Sequence, residues 1–386
     1  MTVPAISSRP KRIVALFTDL LGVGGVQQAG RMTSMALAEI ARERGGTVAF
    51  LSLNDSCGTH RLDGADEIDL HGFARNKARF ALGALRTAFG SSDGGVVIAG
   101  HPNLAPVAVW MRRVRPQLRV VVMSHGIEVW EPLRAHRRKG LQRADCVLAP
   151  SNYTARKLTE VQGVAAEKVR RLPWPIRPAF PALVRERGKL PVPAGFPRGR
   201  TVLTVGRWAA NERYKGADAL IRAVAALQPA IPDIQLVAVG TGDDLPRLRV
   251  LAAELKIEDR VHFLEKLSNE ELAACYAHAD VFALPSTGEG FGLVFLEAMV
   301  FAKPVVGVAA GGVTDIVRDG ENGFLVTPGD AQRLSDALQT LMEDDSLRAR
   351  LGAAGTEMVR REFSFEAFRS GLAEILSDCE NAAGRA

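Results

Sequence analysis

Short apolar blocks alternate with longer amphipathic stretches along nearly the whole chain. In the first half Arg12–Phe17, Thr47–Leu53, Val96–Ala99, Val120–Met123 and Cys146–Ala149 read as buried strands, with helical periodicity over Val26–Arg42, Leu104–Arg113, Pro132–Arg143 and Tyr153–Val161. A second series follows, with strands at Val202–Val205, Leu236–Val239, Val261–Phe263, Val281–Leu284, Val305–Val308 and Phe324–Val326 and helices such as Ala217–Leu227 and Leu245–Leu255. Such alternation predicts a parallel, doubly wound sheet in each half. Pro173–Thr201, crowded with proline, glycine and basic residues, reads as a linker. The tail carries helical patterns over Ala331–Met342, Leu347–Glu362 and Phe365–Leu376. The expected organisation is α/β, with Rossmann-like domains at 1–178 and 179–362 facing a cleft and a C-terminal helix, 363–386, packing back towards the first.

The richest chemistry lies in Leu284–Gly307. The strand Val281–Leu284 runs into a loop holding Gly288, Gly290 and Gly292, then into an apolar segment of helical period, so Glu289 and Glu297 bracket a glycine turn at a helix start. That sequence of elements is the carboxyl edge of a parallel sheet, where open α/β proteins bind their ligands. Glycines let a backbone approach a ligand and expose N–H groups, and the helix start adds positive potential. An anionic ligand with hydroxyls suits the place. Glu297 lies between apolar neighbours, Val294–Leu296 and Ala298–Val300, which argues against an exposed position, and a carboxylate buried there needs a partner.

Composition narrows the class. With 386 residues, 47% hydrophobic and 24% charged, the chain is long enough for two globular domains. Cys57, Cys146, Cys275 and Cys379 lie far apart in sequence and form no metal-ligand spacing, so neither a metal nor a disulfide framework is expected and a cytoplasmic setting is the default. Asp19 interrupts the first apolar run too early for a signal or a membrane span, so any membrane contact is expected to be peripheral, at the inner face. Charge is uneven: Met1–Phe180 carries 26 Lys+Arg and 14 Asp+Glu, a net +12, and the remainder, with 23 and 29, carries −6, which together recover the +6 of the whole. A basic first half suits an anionic acceptor, an acidic lipid surface or nucleic acid, or is simply a solvated arginine-rich surface.

The run PSTGEGFGLVFLEAMVFAKPVVGVAAGGVTDIV, followed by DGENGFLVTPGD, resembles the donor-binding signature of the retaining glycosyltransferases of family 4, which have the GT-B fold. Glu289 and Glu297 stand at the two glutamates of that family's E-x7-E motif. The resemblance extends through VLTVGRWAANERYKG, LVAVGTGDDLPRL and VHFLEKLSNEELAACYAHADVFALPS, and more thinly through GVGGVQQ, SHGIEVW and ADCVLAPSNYTARKL. It implies a metal-independent hexosyltransferase using a nucleotide-sugar donor, with no further cofactor, and a saccharide or lipid-linked acceptor in polysaccharide, glycolipid or glycoconjugate synthesis, rather than a nucleic-acid partner. By the same resemblance Arg207 and Lys215 are the diphosphate-binding pair, Glu297 holds the ribose hydroxyls, Glu289 contacts the transferred sugar, and Gly290, Phe291, Gly292 and Leu293 form the donor turn.

Transfer builds negative charge on the departing phosphate oxygen, so cations aimed there favour the transition state, each contact contributing about 1.5–3 kcal/mol. Eight positions separate Arg207 from Lys215, more than in many family members, so their loop is lengthened. Gly24 and Gly25 precede a helix after Arg12–Phe17, a phosphate-cradling arrangement that looks like the family's N-terminal glycine pair; Gln27 stands where a dinucleotide fingerprint needs glycine. His125 ends the strand Val120–Met123, where similar proteins place a histidine near the donor sugar, with Glu128 three residues on either orienting the ring or opening the next helix. His101 is a second candidate, for which a turn-stabilising role is equally natural.

Neither the acidic cluster Asp63, Asp66, Glu67 and Asp69 nor Asp243 and Asp244 has the strand context of a metal-dependent transferase. Arg112, Arg113, Arg115 and Arg119, then Arg134, Arg137, Arg138, Lys139 and Arg143, supply a basic surface for an anionic membrane or a diphosphate-bearing acceptor. Departures from the family pattern are Glu265, where glycine is common, and Asp315, in place of glutamate; the first leaves uridine, guanosine and adenosine donors open. Two other classes remain at this level: a sugar-nucleotide epimerase or phosphorylase on the same scaffold, and a non-enzymatic anion- or membrane-binding protein.

Overall fold

The computed structural model describes residues 12–61, 67–89 and 95–381. The readings for residues 1–11, for Asp63 and Asp66, and for the Glu67 side chain fall outside that part. By internal contacts the chain divides into two units, Met1–Pro175 with Phe365–Ala386, and Ile176–Ser364, against expected boundaries at 178/179 and 362/363.

In the first unit the elements run β1 (Arg12–Phe17), α1 (Gly25–Glu43), β2 (Thr47–Ser52), β3 (Gly58–Arg61), β4 (Glu67–Gly72), α2 (Lys77–Phe89), β5 (Gly95–Ala99), α3 (Ala105–Val114), β6 (Leu118–Met123), α4 (Ala135–Arg143), β7 (Cys146–Ala149), α5 (Asn152–Glu160) and β8 (Val169–Arg171). Among the described residues they form an eight-stranded sheet in the order β3-β4-β2-β1-β5-β6-β7-β8. Every pairing is parallel except β3 with β4. The antiparallel edge departs from the wholly parallel expectation: short, polar β3 and β4 leave no apolar block in the sequence. Leu16, Val97, Ile98, Val121 and Val147 are fully or almost fully buried, because the central strands are covered on both faces.

The second unit runs α6 (Ala179–Arg185), β9 (Thr201–Val205), α7 (Ala217–Leu227), β10 (Gln235–Val239), α8 (Leu245–Glu254), β11 (Val261–Leu264), α9 (Asn269–His278), β12 (Val281–Leu284), α10 (Leu293–Val300), β13 (Val305–Val308), β14 (Gly323–Val326), α11 (Ala331–Glu343) and α12 (Asp345–Glu362). Its parallel sheet has the order β11-β10-β9-β12-β13-β14. The chain leaves β9 towards β10 on one side and returns at β12 on the other, so a topological switch point lies between β9 and β12. In the first sheet the equivalent place is between β1 and β5.

Helix α13 (Phe365–Asn381) belongs to the first unit. Phe368 packs on Trp174 at 5.8 Å, and Arg44 donates to Ala373 O and Ser377 Oγ at 2.7 and 2.8 Å. Cys146 and Cys379, distant in sequence, are hydrogen-bonded here: the contact holds Cys379 below the ordinary thiol range and, with burial, pushes Cys146 up. The stretch read as a linker is structured instead. Trp174, Ile176 and Phe180 are buried and α6 crosses it, because proline near a helix start removes only N–H groups that have no intrahelical partner. Helix α4 starts at Ala135, not Pro132: Arg134 before it is extended (ψ 141°), and the Leu133 N–H is bound by Gln162 Oε1 at 3.2 Å.

Candidate functional site

In the second unit the connections after β9 and β12 meet at the switch point. Leaving β9, the chain passes Arg207 and makes 3-10 turns over Ala210–Lys215 before α7. Gly216 starts that helix with φ +76°, and a Cβ there would lie 2.5 Å from Pro285 O; the close approach requires glycine. Tyr214 O accepts the Thr287 N–H at 2.9 Å, which fastens the two loops together. Lys215 Nζ is thereby 3.5 Å from Glu289 Oε1 and 3.9 Å from Glu212 Oε2, while the Arg207 guanidinium donates to Glu212 Oε1. The result is a row of alternating charge: Arg207, Glu212, Lys215, Glu289.

Glu289 Oε1 is buried and takes no hydrogen bond among the described residues beyond that ion-pair approach. Gly292 is the left-handed cap, φ +99°, of α10, whose first residue is Leu293. Phe291 is buried against Phe363 at 5.9 Å, and the Gly312 N–H donates to Glu289 O at 2.8 Å, so the turn containing Gly290 is held on both sides. Gly288 does not present its N–H to a ligand: it donates to Ser286 Oγ at 3.3 Å.

Glu297 is 3% exposed on α10, and its partners come from outside the motif. Arg177 Nε donates to Oε1 at 3.1 Å and the Tyr276 hydroxyl to Oε2 at 2.9 Å. Arg177 also donates to Asn269 Oδ1 at 2.9 Å and lies over the Phe180 ring at 4.0 Å. Burial and the Glu297 charge push the Tyr276 phenol well above its ordinary range. Each carboxylate oxygen keeps a second lone pair beyond these contacts.

In the first unit Gly24 caps α1 and Gly25 is its first residue. The turn before them is braced from below. Asp55 Oδ2 accepts from the Leu20 N–H at 2.6 Å, Asp19 Oδ1 from Gly22 N–H at 3.1 Å, and Arg31 donates to the oxygens of Leu20 and Gly22 at 2.7 and 3.0 Å. His125 follows β6 and is 8% exposed. Its Nε2 lies 2.7 Å from Gly100 O, and since a carbonyl only accepts, Nε2 carries a proton, which in the neutral ring leaves Nδ1 as an acceptor. Nδ1 is buried and takes no hydrogen bond among the described residues, an arrangement suited to a ligand hydroxyl. Glu128 holds the His125 backbone N–H at 2.6 Å and not the ring. His101 Nδ1 accepts from Asn103 N–H at 3.1 Å, a turn cap, and its ring stacks on His125 at 5.8 Å.

Burial and the neighbouring His125 hold His101 down at about 4, against 6.5 for a free imidazole. A histidine depressed in the folded state contributes stability that is complete above about 6.5 and is lost as pH falls towards about 4. The melting temperature of the first unit is therefore expected to drop across that window more in the wild type than in His101→Gln, whose amide oxygen still accepts from Asn103. Parallel melting curves from pH 7 to pH 4 would contradict it.

The remaining candidates have structural partners. Asp243 accepts from Ala210 N–H at 2.8 Å, Asp244 pairs with Arg213 and Arg247, and Glu265 faces Arg249 at 3.5 Å. Asp315 ends the 3-10 turn Gly311–Asp315. Among the described residues no cluster of three or more His, Cys, Asp or Glu is placed to hold a metal. Arg112 and Arg119 both engage Asp145, at 2.7 and 3.2 Å, so part of the first basic group is neutralised internally, whereas Arg134, Arg138, Lys139 and Arg143 are exposed.

Two parallel-sheet α/β units with these edge loops define a GT-B glycosyltransferase fold. Residues 193–358 match the profile described as Glycosyl transferases group 1, and residues 33–180, which begin after the Gly24–Gly25 turn, match Glycosyltransferase Family 4. The chain is 31% identical over 270 residues to the GDP-mannose-dependent alpha-(1-6)-phosphatidylinositol monomannoside mannosyltransferase of Mycolicibacterium smegmatis, covering 67% of this chain and 70% of that one. It is 41% identical over 170 residues to the phosphatidyl-myo-inositol mannosyltransferase of Mycobacterium leprae, covering 44% of each, so the match spans less than half of that relative. The sucrose-phosphate synthase of Thermosynechococcus elongatus superposes with a TM-score of 0.75 at 25% identity over 96% of this chain and all of that one. Anabaena HepE, solved with UDP, gives 0.73 at 22% identity over 95% and 100%. The chain belongs to glycosyltransferase family 4.

Proposed function

We propose that this chain is a retaining, metal-independent hexosyltransferase that moves a sugar from a nucleoside-diphosphate donor to a saccharide or lipid-linked acceptor. The observation that carries the reading is the approach of Lys215 to Glu289 at the switch point of the second sheet, a cation and an acid beside a glycine-capped helix start. In the reaction the bond between anomeric carbon and phosphate oxygen breaks, and the acceptor hydroxyl oxygen bonds to that carbon on the same face. The hydroxyl proton passes to the leaving phosphate. Arg207 and Lys215 stabilise the charge growing on that phosphate. Glu289 accepts from hydroxyls of the transferred sugar, Glu297 from those of the ribose, and His125 Nδ1 offers a further acceptor for a sugar hydroxyl. The Gly24–Gly25 helix start supplies N–H groups for an anionic group.

Two named relatives act on phosphatidylinositol or its mannoside, which favours a lipid-linked acceptor and, in one case, GDP-mannose as donor. Peripheral contact of the first unit with an anionic membrane at the cytoplasmic face fits the exposed cations of α4 and the exposed Trp110 and Leu82. Among the described residues no helix is long and apolar enough to cross a membrane.

The test is a thermal-shift series with UDP, GDP and ADP, followed by transfer from the matching nucleotide-sugar to acceptors in anionic vesicles with chelator present. One diphosphate is expected to raise the melting temperature, by mass action, and transfer to survive chelation. If none of the three stabilises the protein, the reading fails.

A further inference from the structure

We propose that Glu212 is a positioning residue for the donor diphosphate: its carboxylate, between the two in sequence, holds the Arg207 guanidinium with one oxygen and faces the Lys215 ammonium with the other. The inference rests on the glycosyltransferase reading above. Eight positions separate the two cations. Glu212 lies between them in the 3-10 turns Ala210–Lys215 and is 9% exposed, with one oxygen on Arg207 and the other 3.9 Å from Lys215 Nζ.

The asymmetry of burial says which partner is the anchor. The Arg207 side chain is 70% exposed and the Glu212 side chain 10%. An exposed arginine is free among many rotamers, and that freedom must be surrendered when it grips a phosphate. A carboxylate fixed in the loop removes much of that cost before the ligand arrives. The guanidinium has five N–H donors, and the contact with Glu212 leaves others for phosphate oxygens. Lys215 is shared between Glu212 and Glu289, so the same carboxylate also fixes the distance between the diphosphate cations and the acid beside the sugar.

Charge alone makes the opposite prediction. Deleting Glu212 leaves the site one unit more positive, and Coulomb attraction for a diphosphate then rises. The sign of the change therefore separates positioning from simple neutralisation.

The experiment is calorimetry of the full chain with the nucleoside diphosphate that stabilises the wild type, repeated on Glu212→Ala and Glu212→Gln, together with steady-state kinetics. Glu212→Ala is expected to weaken diphosphate binding and raise the donor KM about tenfold, the worth of one charge-assisted contact, with the acceptor KM unchanged. Glu212→Gln is expected to recover part of the loss, because its amide oxygen still accepts from Arg207. Should the alanine variant not fold, the glutamine variant decides, with an expected weakening of about threefold. Unchanged or tighter binding in a folded variant overturns the proposal while leaving the proposed function standing. A wild type that binds no diphosphate overturns both.

Discussion

Lys215→Ala is expected to lower transfer by roughly 10²–10³-fold, the loss that follows removal of one preorganised donor to a developing oxyanion. Lys215 is held between two acids and is only 17% exposed, so in the proposed reaction it would meet the departing phosphate with little reorganisation, which is the condition for a large effect. Glu289→Ala is expected to cost a similar factor by a different route, since its buried Oε1 takes no hydrogen bond among the described residues and faces Lys215 at 3.5 Å, so that both the proposed acceptor role and the placement of the lysine go with it. Because the two act as a unit, the double variant is expected to be little worse than either single one, about 10³-fold below wild type in kcat/KM. The measurement is initial rate at saturating acceptor over a donor series, beside melting curves to show that the second unit still folds. Near-native turnover in either single variant, or strictly multiplicative losses in the double, would remove the pair from the mechanism.

The parts of this arrangement that were legible in the sequence are those with local signatures. The strands at Val281–Leu284 and Val305–Val308 coincide with apolar blocks because a strand covered on both faces has no room for polar residues. Gly292 betrayed the helix start by its position before an apolar run, and its left-handed φ shows why glycine stands there. Lys215 and Glu289 stand in separate motifs, and the loops after two neighbouring strands bring them to ion-pair distance.

What was hidden depends on contacts distant in sequence. Arg177 lies 120 positions before Glu297, in a proline-rich stretch that reads as a linker, and no periodicity ties the two. Tyr276 sits on α9, whose surroundings give no sign that its hydroxyl faces a carboxylate. Glu212 has no signature of its own in the sequence; the fold shows it beside both cations. The one available signal was the cost of burying Glu297 without a partner, which required an unnamed donor to exist.

That donor gives the other large effect. Arg177→Ala is expected to destabilise the second unit by about 3–5 kcal/mol, because it leaves the charge of Glu297, 3% exposed, with a single phenol for company. The loss also includes the Asn269 hydrogen bond and the stacking on Phe180. Removing both charges together has a different expected outcome. Arg177→Met with Glu297→Leu replaces a desolvated pair by apolar groups of similar size, a change that is often neutral or even favourable, but it leaves the buried Tyr276 hydroxyl without its acceptor, so the melting temperature is expected to recover only part of the way to wild type. Nucleotide binding is not expected to recover with it, since no acceptor then remains for the ribose hydroxyls. Urea unfolding of the three proteins, paired with calorimetry of the diphosphate, separates the two roles. If the double variant is stable and binds the nucleotide as the wild type does, Glu297 holds the fold together and has no part in holding the donor.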